Sequence, residues 1–168
     1  ISAVLTILPP PEEIDLAEGS PDPEIINIRG TSGETTSQIT FDIVDLEGEP
    51  VANGYPFILN ISSGLGGGEE VTPTFASTQD GRIRVILRSG TKSGVVGIRI
   101  VYFYNSDLNQ ELSIRVTNGP PVGEEFGISA QFLNVSGLTY AGLDDAITIN
   151  AGDVYGNTVP DGTAVAFK

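Results

Sequence analysis

Along most of this chain apolar residues recur at every second position. Ile39, Phe41 and Ile43 alternate with Thr40 and Asp42, and Tyr55, Phe57, Leu59 and Ile61 alternate with Pro56, Ile58 and Asn60. Ile83, Val85 and Leu87 alternate with Arg82, Arg84, Ile86 and Arg88; Val96, Ile98, Ile100 and Tyr102 share one face; and Leu112, Ile114 and Val116 alternate with Ser113 and Arg115. A period of two is that of a strand with one face buried and one in water, the antiparallel pattern. Turn-forming stretches separate the runs: EGEP at 47–50, ANG at 52–54, QDG at 79–81, SGTKSG at 89–94 and NSDLN at 105–109. No stretch carries a helical stripe, so the pattern predicts an all-β antiparallel sandwich.

One stretch is written twice. At an offset of 108, residues 39–60 (ITFDIVDLEGEPVANGYPFILN) and 147–168 (ITINAGDVYGNTVPDGTAVAFK) agree at Ile39/Ile147, Thr40/Thr148, Asp45/Asp153, Gly48/Gly156, Val51/Val159 and Gly54/Gly162. The matches fall on turn glycines and on positions that would point inward. The segments before them also correspond: LPPPEEI at 8–14 resembles GPPVGEEF at 119–126, and SAVLTIL at 2–8 resembles ELSIRVT at 111–117. A spacing near 108 is one Ig-sized sandwich per repeat.

The expected organisation is therefore the last strand of a preceding repeat (1–8), an acidic Pro-rich linker (9–19), a complete sandwich (20–118), a second linker (119–125) and the first strands of a further repeat (126–168). Such a partial repeat leaves an apolar face and a strand edge uncovered. Strand exchange with neighbouring copies of the chain, or completion by further repeats, is expected to cover them.

The stretch 44–102 resembles the bacterial Ig-like repeats of the invasin and intimin type. Asp45, Gly48, Pro50, Val51 and Gly54, then Asp80 and Gly81, then Leu87, Ser89 and Gly94 stand where those repeats carry V-x-D-x-x-G-x-P-V-x-G, T-x-x-D-G and L-x-S-x-x-x-G. In the second copy Asp153, Gly156, Val159 and Gly162 take the same places, with Thr158 where the proline would be. The resemblance implies an extracellular or cell-surface spacer that holds a functional domain away from the envelope, and it carries no catalytic residue.

Composition narrows the chemistry. The 168 residues include no Cys, His, Met or Trp. Zinc, haem and iron–sulfur ligand sets, thiol nucleophiles and a Ser-His-Asp triad are thus excluded within this chain, and the usual nucleophile–base sets of an enzyme are missing. A net charge of −14, from 22 acids and 8 bases, disfavours nucleic acid and anionic membranes as partners. Nothing approaches ~18 continuous apolar residues, so no membrane insertion is expected. The opening ISAVLTILPPPEE lacks the basic start and cleavage site of a secretory signal, and reads as following one or as part of something longer.

Several groups remain as candidates. Arg82, Arg84, Arg88, Lys92 and Arg99 lie within 18 residues free of acids, either a solvated face or a basic strip for an acidic partner or the next copy of the molecule. Glu12, Glu13, Glu124 and Glu125, with Asp144 and Asp145, are possible Ca²⁺ ligands at the junctions; the alternative is a solvated linker, since no D-x-D-x-D-G loop is present. Asp45 and Asp153 are expected to cap tight turns, with Gly48 and Gly156 at positive φ. SSGLGGGEE at 62–70 is glycine-rich, but with two Glu and no Lys-Ser/Thr it reads as a flexible connection and not a phosphate loop. Carboxylate pairs suit a glycosidase in principle, yet these sit in turns and linkers with no aromatic cleft. In the run Tyr102-Phe103-Tyr104, Phe103 is expected to point outward. Asn60-Ile-Ser and Asn134-Val-Ser have the form of glycosylation sequons. The function expected is a structural spacer or assembly module of an Ig-like array or filament. The alternatives are an adhesive module for a protein or glycan, or an accessory domain of a secreted hydrolase.

Overall fold

A computed structural model describes residues 8–132, 142 and 144–166. The chain divides into two units, residues 1–117 and 118–168. The strand expected at 1–8 lies outside the described residues but for Leu8, as does the sequon at Asn134.

Among the described residues the first unit is a two-sheet sandwich of nine strands. They are β1 (Glu13–Leu16), β2 (Ile25–Asn27), β3 (Thr36–Val44), β4 (Pro56–Ser63), β5 (Glu70–Thr72), β6 (Phe75–Ser77), β7 (Arg82–Arg88), β8 (Gly94–Tyr102) and β9 (Asn105–Thr117). One sheet has the order β1-β3-β7-β5, the other β2-β9-β8-β4-β6. With β1 and β2 as two halves of a first strand, this is the Ig arrangement of an ABED sheet against a GFC sheet. The period-two runs form the interior as expected: Ile39 pairs with Val85 and Phe41 with Ile83 in the first sheet, and Leu59 with Ile100 in the second. All six are almost wholly buried, with Ile43, Phe57, Leu87, Val96, Ile98 and Ile114 around them.

The linker expected at 9–19 is instead the start of the sandwich, and the complete repeat does not begin at 20. β1 pairs antiparallel with β3 (Ile14 opposite Ile43), Glu12 N–H donates to the Val44 carbonyl at 2.9 Å, and Ile14 is buried in the core. An edge strand of four residues needs only one inward side chain, so its acidic outward residues disguised it. The chain then turns at Ala17–Ser20, and Pro21 and Pro23, which cannot donate to a ladder, mark the crossing to the other sheet. There β2 runs parallel to β9, Ile26 opposite Val116.

Two further readings change. NSDLN at 105–109 is not the turn after β8; it lies within β9, and Phe103–Tyr104 form the turn. The Asn109 amide donates to the carbonyls of Ser106 and Asp107, and Asn105 Oδ1 accepts from Asp107 N–H. These local bonds accompany a register shift at Val101/Tyr102. The glycine-rich stretch 62–70 is not an open connection either. The Glu69 carboxylate accepts from the N–H groups of Gly66 and Gly67, both at 2.9 Å, and from that of Leu65, while Thr91 N–H donates to the Gly67 carbonyl. Burial alone would raise the Glu69 pKa, but the hydrogen bonds from its own N–H and those of Gly66, Gly67 and Leu65 outweigh it and hold the carboxyl below its usual value. The amides a phosphate would need are already taken.

The same loop makes a sharp test of packing. A Cβ on Gly90 would fall on the Gly67 carbonyl and 2.9 Å from Glu69 N. Both neighbours are backbone and have no rotamer to move. Gly90→Ala is therefore expected to destabilise the first unit by about 1–3 kcal/mol, seen as a lower urea midpoint at unchanged m-value; an unchanged midpoint would contradict this packing.

The second unit opens with one turn of 3₁₀ helix (Gly123–Glu125), followed by β10 (Phe126–Ala130), which pairs antiparallel with β11 (Ile147–Ala151). As at 9–19, part of the expected linker at 119–125 is tied into the repeat, because Val122 N–H donates to Gly152 and Gly152 N–H to Glu125. Among the described residues no helix is long and apolar enough to cross a membrane.

Candidate functional site

The repeated segment builds the same turn twice. After β3, Asp45 N–H donates to the Glu49 carbonyl, Gly48 N–H to the Asp45 carbonyl and Val51 N–H to the Ile43 carbonyl, at 3.0, 3.0 and 3.1 Å. After β11, Asp153 N–H donates to Asn157, Gly156 N–H to Asp153 and Val159 N–H to Ala151, at 2.9, 2.9 and 3.4 Å. Oδ1 of Asp45 accepts from the N–H groups of Glu47 and Glu49; Oδ1 of Asp153 accepts from those of Tyr155 and Asn157. Gly48 and Gly156 sit at φ +81° and +75°, the left-handed region where a side chain would strain the turn. Both aspartates act on backbone amides, as the sequence predicts.

Asp153 does one thing more. Its Oδ2 accepts from Gly119 N–H at 2.9 Å, the Asn157 side-chain amide donates to both of its oxygens, and it is fully buried. Burial would raise its pKa, but the hydrogen bonds from Gly119, the Asn157 side chain, Tyr155 N–H and Asn157 N–H together hold it below the usual aspartate range. The carboxylate thereby ties residue 119 to the second unit. In the first unit the matching position is Pro9: Glu12 and Val122 bond the equivalent carbonyls of Val44 and Gly152, so three residues earlier Pro9 stands where Gly119 does. Proline has no N–H to give. That Gly-for-Pro difference is visible in the sequence and is the one signal that would have revealed the extra bond.

The other feature of the second unit is an open face. Phe126, Ile128 and Ala130 on β10 lie opposite Ala151, Ile149 and Ile147 on β11. In the first unit the equivalents of the last three, Ile43, Phe41 and Ile39, have no exposure at all, whereas Ile147 is 55% exposed and Ile128 is 58% exposed. Ile149, Ala151, Val159 and Val165 line an open hollow on the unit. Among the described residues one half of a sandwich interior is present there without the other.

The remaining candidates are placed as follows. Glu12 and Glu13 are exposed at the β1 edge, Glu124 and Glu125 lie in the 3₁₀ turn, and Asp145 accepts from Phe132 N–H. Among the described residues no three carboxylates come together as a metal cluster. The five bases do not share one strip: Arg82, Arg84 and Arg88 project from β7, Lys92 is in the next loop, and Arg99 is on β8 in the other sheet. Phe103 is half exposed, edge-on to Phe75 at 6.0 Å and to Tyr104 at 5.2 Å between ring centres.

No protein-family model matches the chain, and no curated protein matches it in sequence. Solved structures do. The Escherichia coli adhesin FdeC superimposes with a TM-score of 0.54 at 16% identity, over 89% of this chain and 42% of that one. The fold is an Ig-like β-sandwich. The D00-D0 domain of intimin (TM-score 0.47, 14% identity, 64% of this chain and 47% of that one) and invasin, a bacterial integrin-binding protein (0.45, 17%, 86% and 27%), are similar in turn. This chain spans less than half of each of those solved chains. The likeness is one of fold, as the invasin- and intimin-type motifs in the sequence imply.

Proposed function

We propose that this chain is a segment of a tandem Ig-like array on a bacterial cell surface, acting as a spacer and assembly module and not as an enzyme. The observation that carries the reading is the Asp45 turn rebuilt at Asp153, bond for bond, beside an interior face left open at Ile128 and Ile147. A sequence that spends its second half restarting the same sandwich is making length. The open face requires strands of the kind β7 and β8 supply in the first unit, from a further part of the array or from a neighbouring copy of the chain. The adhesin neighbours support a surface location.

The test is the mass of the chain by light scattering, with and without millimolar Ca²⁺. A ladder of oligomers or filaments that vanishes with Ile147→Ser supports completion between chains. A clean monomer overturns exchange between copies and leaves the spacer reading alone. A mass or extension that changes only with Ca²⁺ would make Glu12, Glu13, Glu124 and Glu125 the residues to substitute next. A second reading, adhesion to a protein or glycan, is favoured by the exposed cluster of Phe75, Phe103 and Tyr104; retention of the chain on a glycan array, lost in Phe103→Ser, would support it.

A further inference from the structure

We propose that the outer face of the β1-β3-β7 sheet docks a second copy of this chain, side by side and pointing the same way. The inference concerns the flank of the complete sandwich and is independent of how the second unit is completed.

On this face β3 presents Thr36, Gln38, Thr40 and Asp42, and charge divides on either side of it. Toward β1 stand Glu13 and Asp15 and then, as the chain continues along the β3 edge, Glu18 and Asp22, all exposed. Toward β7 stand Arg82, Arg84 and Arg88, also exposed, with the half-exposed Ile86 among them. Arg82 Nε bonds Asp42 Oδ1 at 2.7 Å, the one ion pair among the described residues. Arg84 and Arg88 make none, although Glu18 and Asp22 line the same open hollow as Arg84 and Glu70 lies cross-strand from Arg88. Two unpaired arginines on one strand face are conspicuous in a chain with 22 acids and 8 bases.

With strands ~4.8 Å apart, the two columns lie ~10 Å from each other, centred on β3. A two-fold axis running along β3 lays the acidic column of one copy on the basic column of the other, and does so twice. Height is kept: Asp15 is level with Asp42 and hence Arg82, and Asp22 is level with Gln38 and Ile86, between Arg84 and Arg88. An axis across the strands would instead stack acid on acid and base on base, which is repulsive. The charge pattern thus selects parallel neighbours, such as two arrays rising from one surface, over chains meeting head-on. The net charge of −14 opposes approach from afar, but at 0.1 M salt that field is screened beyond ~10 Å. A single sheet face buries less than the ~1,200 Å² of a stable complex, so one repeat binds weakly and an array binds by repetition.

The experiment is sedimentation velocity of four samples: the wild type, R84E/R88E, E18R/D22R and an equal mixture of the two variants. The wild type should self-associate with a salt-dependent Kd, each variant alone should weaken this by at least about tenfold, and the mixture should recover it, because the reversed acids at 84 and 88 of one copy then meet the reversed bases at 18 and 22 of the other while Asp15 still meets Arg82. The apolar face of the second unit is identical in all four. A mixture that stays as dissociated as its parts, or variants that associate like the wild type, overturns the proposal. So does a wild type that stays monomeric while binding heparin or polyglutamate through Arg84 and Arg88, which would give the column a different acidic ligand. Orientation is read in this cysteine-free chain by joining Thr36→Cys and Thr40→Cys with a short bis-maleimide that spans the ~10 Å between stacked sheets: parallel copies cross-link at both positions, antiparallel copies at one at most.

Discussion

Ile39→Ala is expected to cost the first unit about 3 kcal/mol, and Ile147→Ala, at the equivalent place in the second, less than about 0.5 kcal/mol in this chain. The two isoleucines open the same repeated segment and face the same way. Their environments differ: Ile39 has no exposure and belongs to the core cluster, opposite Val85 on β7, while Ile147 is 55% exposed. Deleting buried methyl groups loses their transfer energy and leaves a cavity, whereas a half-exposed side chain forfeits little. Urea unfolding of both variants gives the comparison. In a longer chain that covers this face, as the proposed array would, Ile147→Ala should cost as much as Ile39→Ala does here. If it costs nothing there as well, the second unit is not an interrupted sandwich, and the array reading loses its main support.

Asp153→Asn should release the second unit's turn and residue 119 together, at a cost of about 2 kcal/mol, because bonds to a charged acceptor are stronger than neutral ones and buried N–H groups lose their partner. Hydrogen exchange at Gly119, Tyr155 and Asn157 is the readout, with protection falling by more than about tenfold. Acid should do the same to the wild type. The folded carboxyl titrates below its unfolded value, so its contribution is complete above the ordinary aspartate pKa and is lost as pH falls through the depressed folded one. Protection at Gly119 that survives the substitution would mean that another group holds residue 119.

Much of this was legible beforehand. The long strands were, because a buried face leaves a period of two; so was the repeat, because the left-handed turn admits little besides glycine at 48 and 156. The short strands were not. β1, β2, β5 and β6 have three or four residues each, too few for alternation to register, and β1 has a composition that belongs equally to a linker. The Phe103–Tyr104 turn escaped because neither residue favours turns, while the polar residues just after it do. The charged columns are invisible in the sequence for another reason: Arg84 and Asp22 are 62 positions apart, and only the pairing of β1 and β7 with β3 sets them on one face.

The crossing of the first strand between sheets has a mechanical meaning. β2 runs parallel to β9, Ile25 to Asn27 against Arg115 to Thr117, with Ile28 N–H held by the Thr117 carbonyl. The chain enters this unit ahead of β2 and leaves it after β9. Once β1 has come away from β3, a pull on the two ends slides these strands past each other and stretches their hydrogen bonds together, where two strands of a hairpin peeled from one end would give way one bond at a time. A sandwich loaded from its two ends is stronger for resisting in shear.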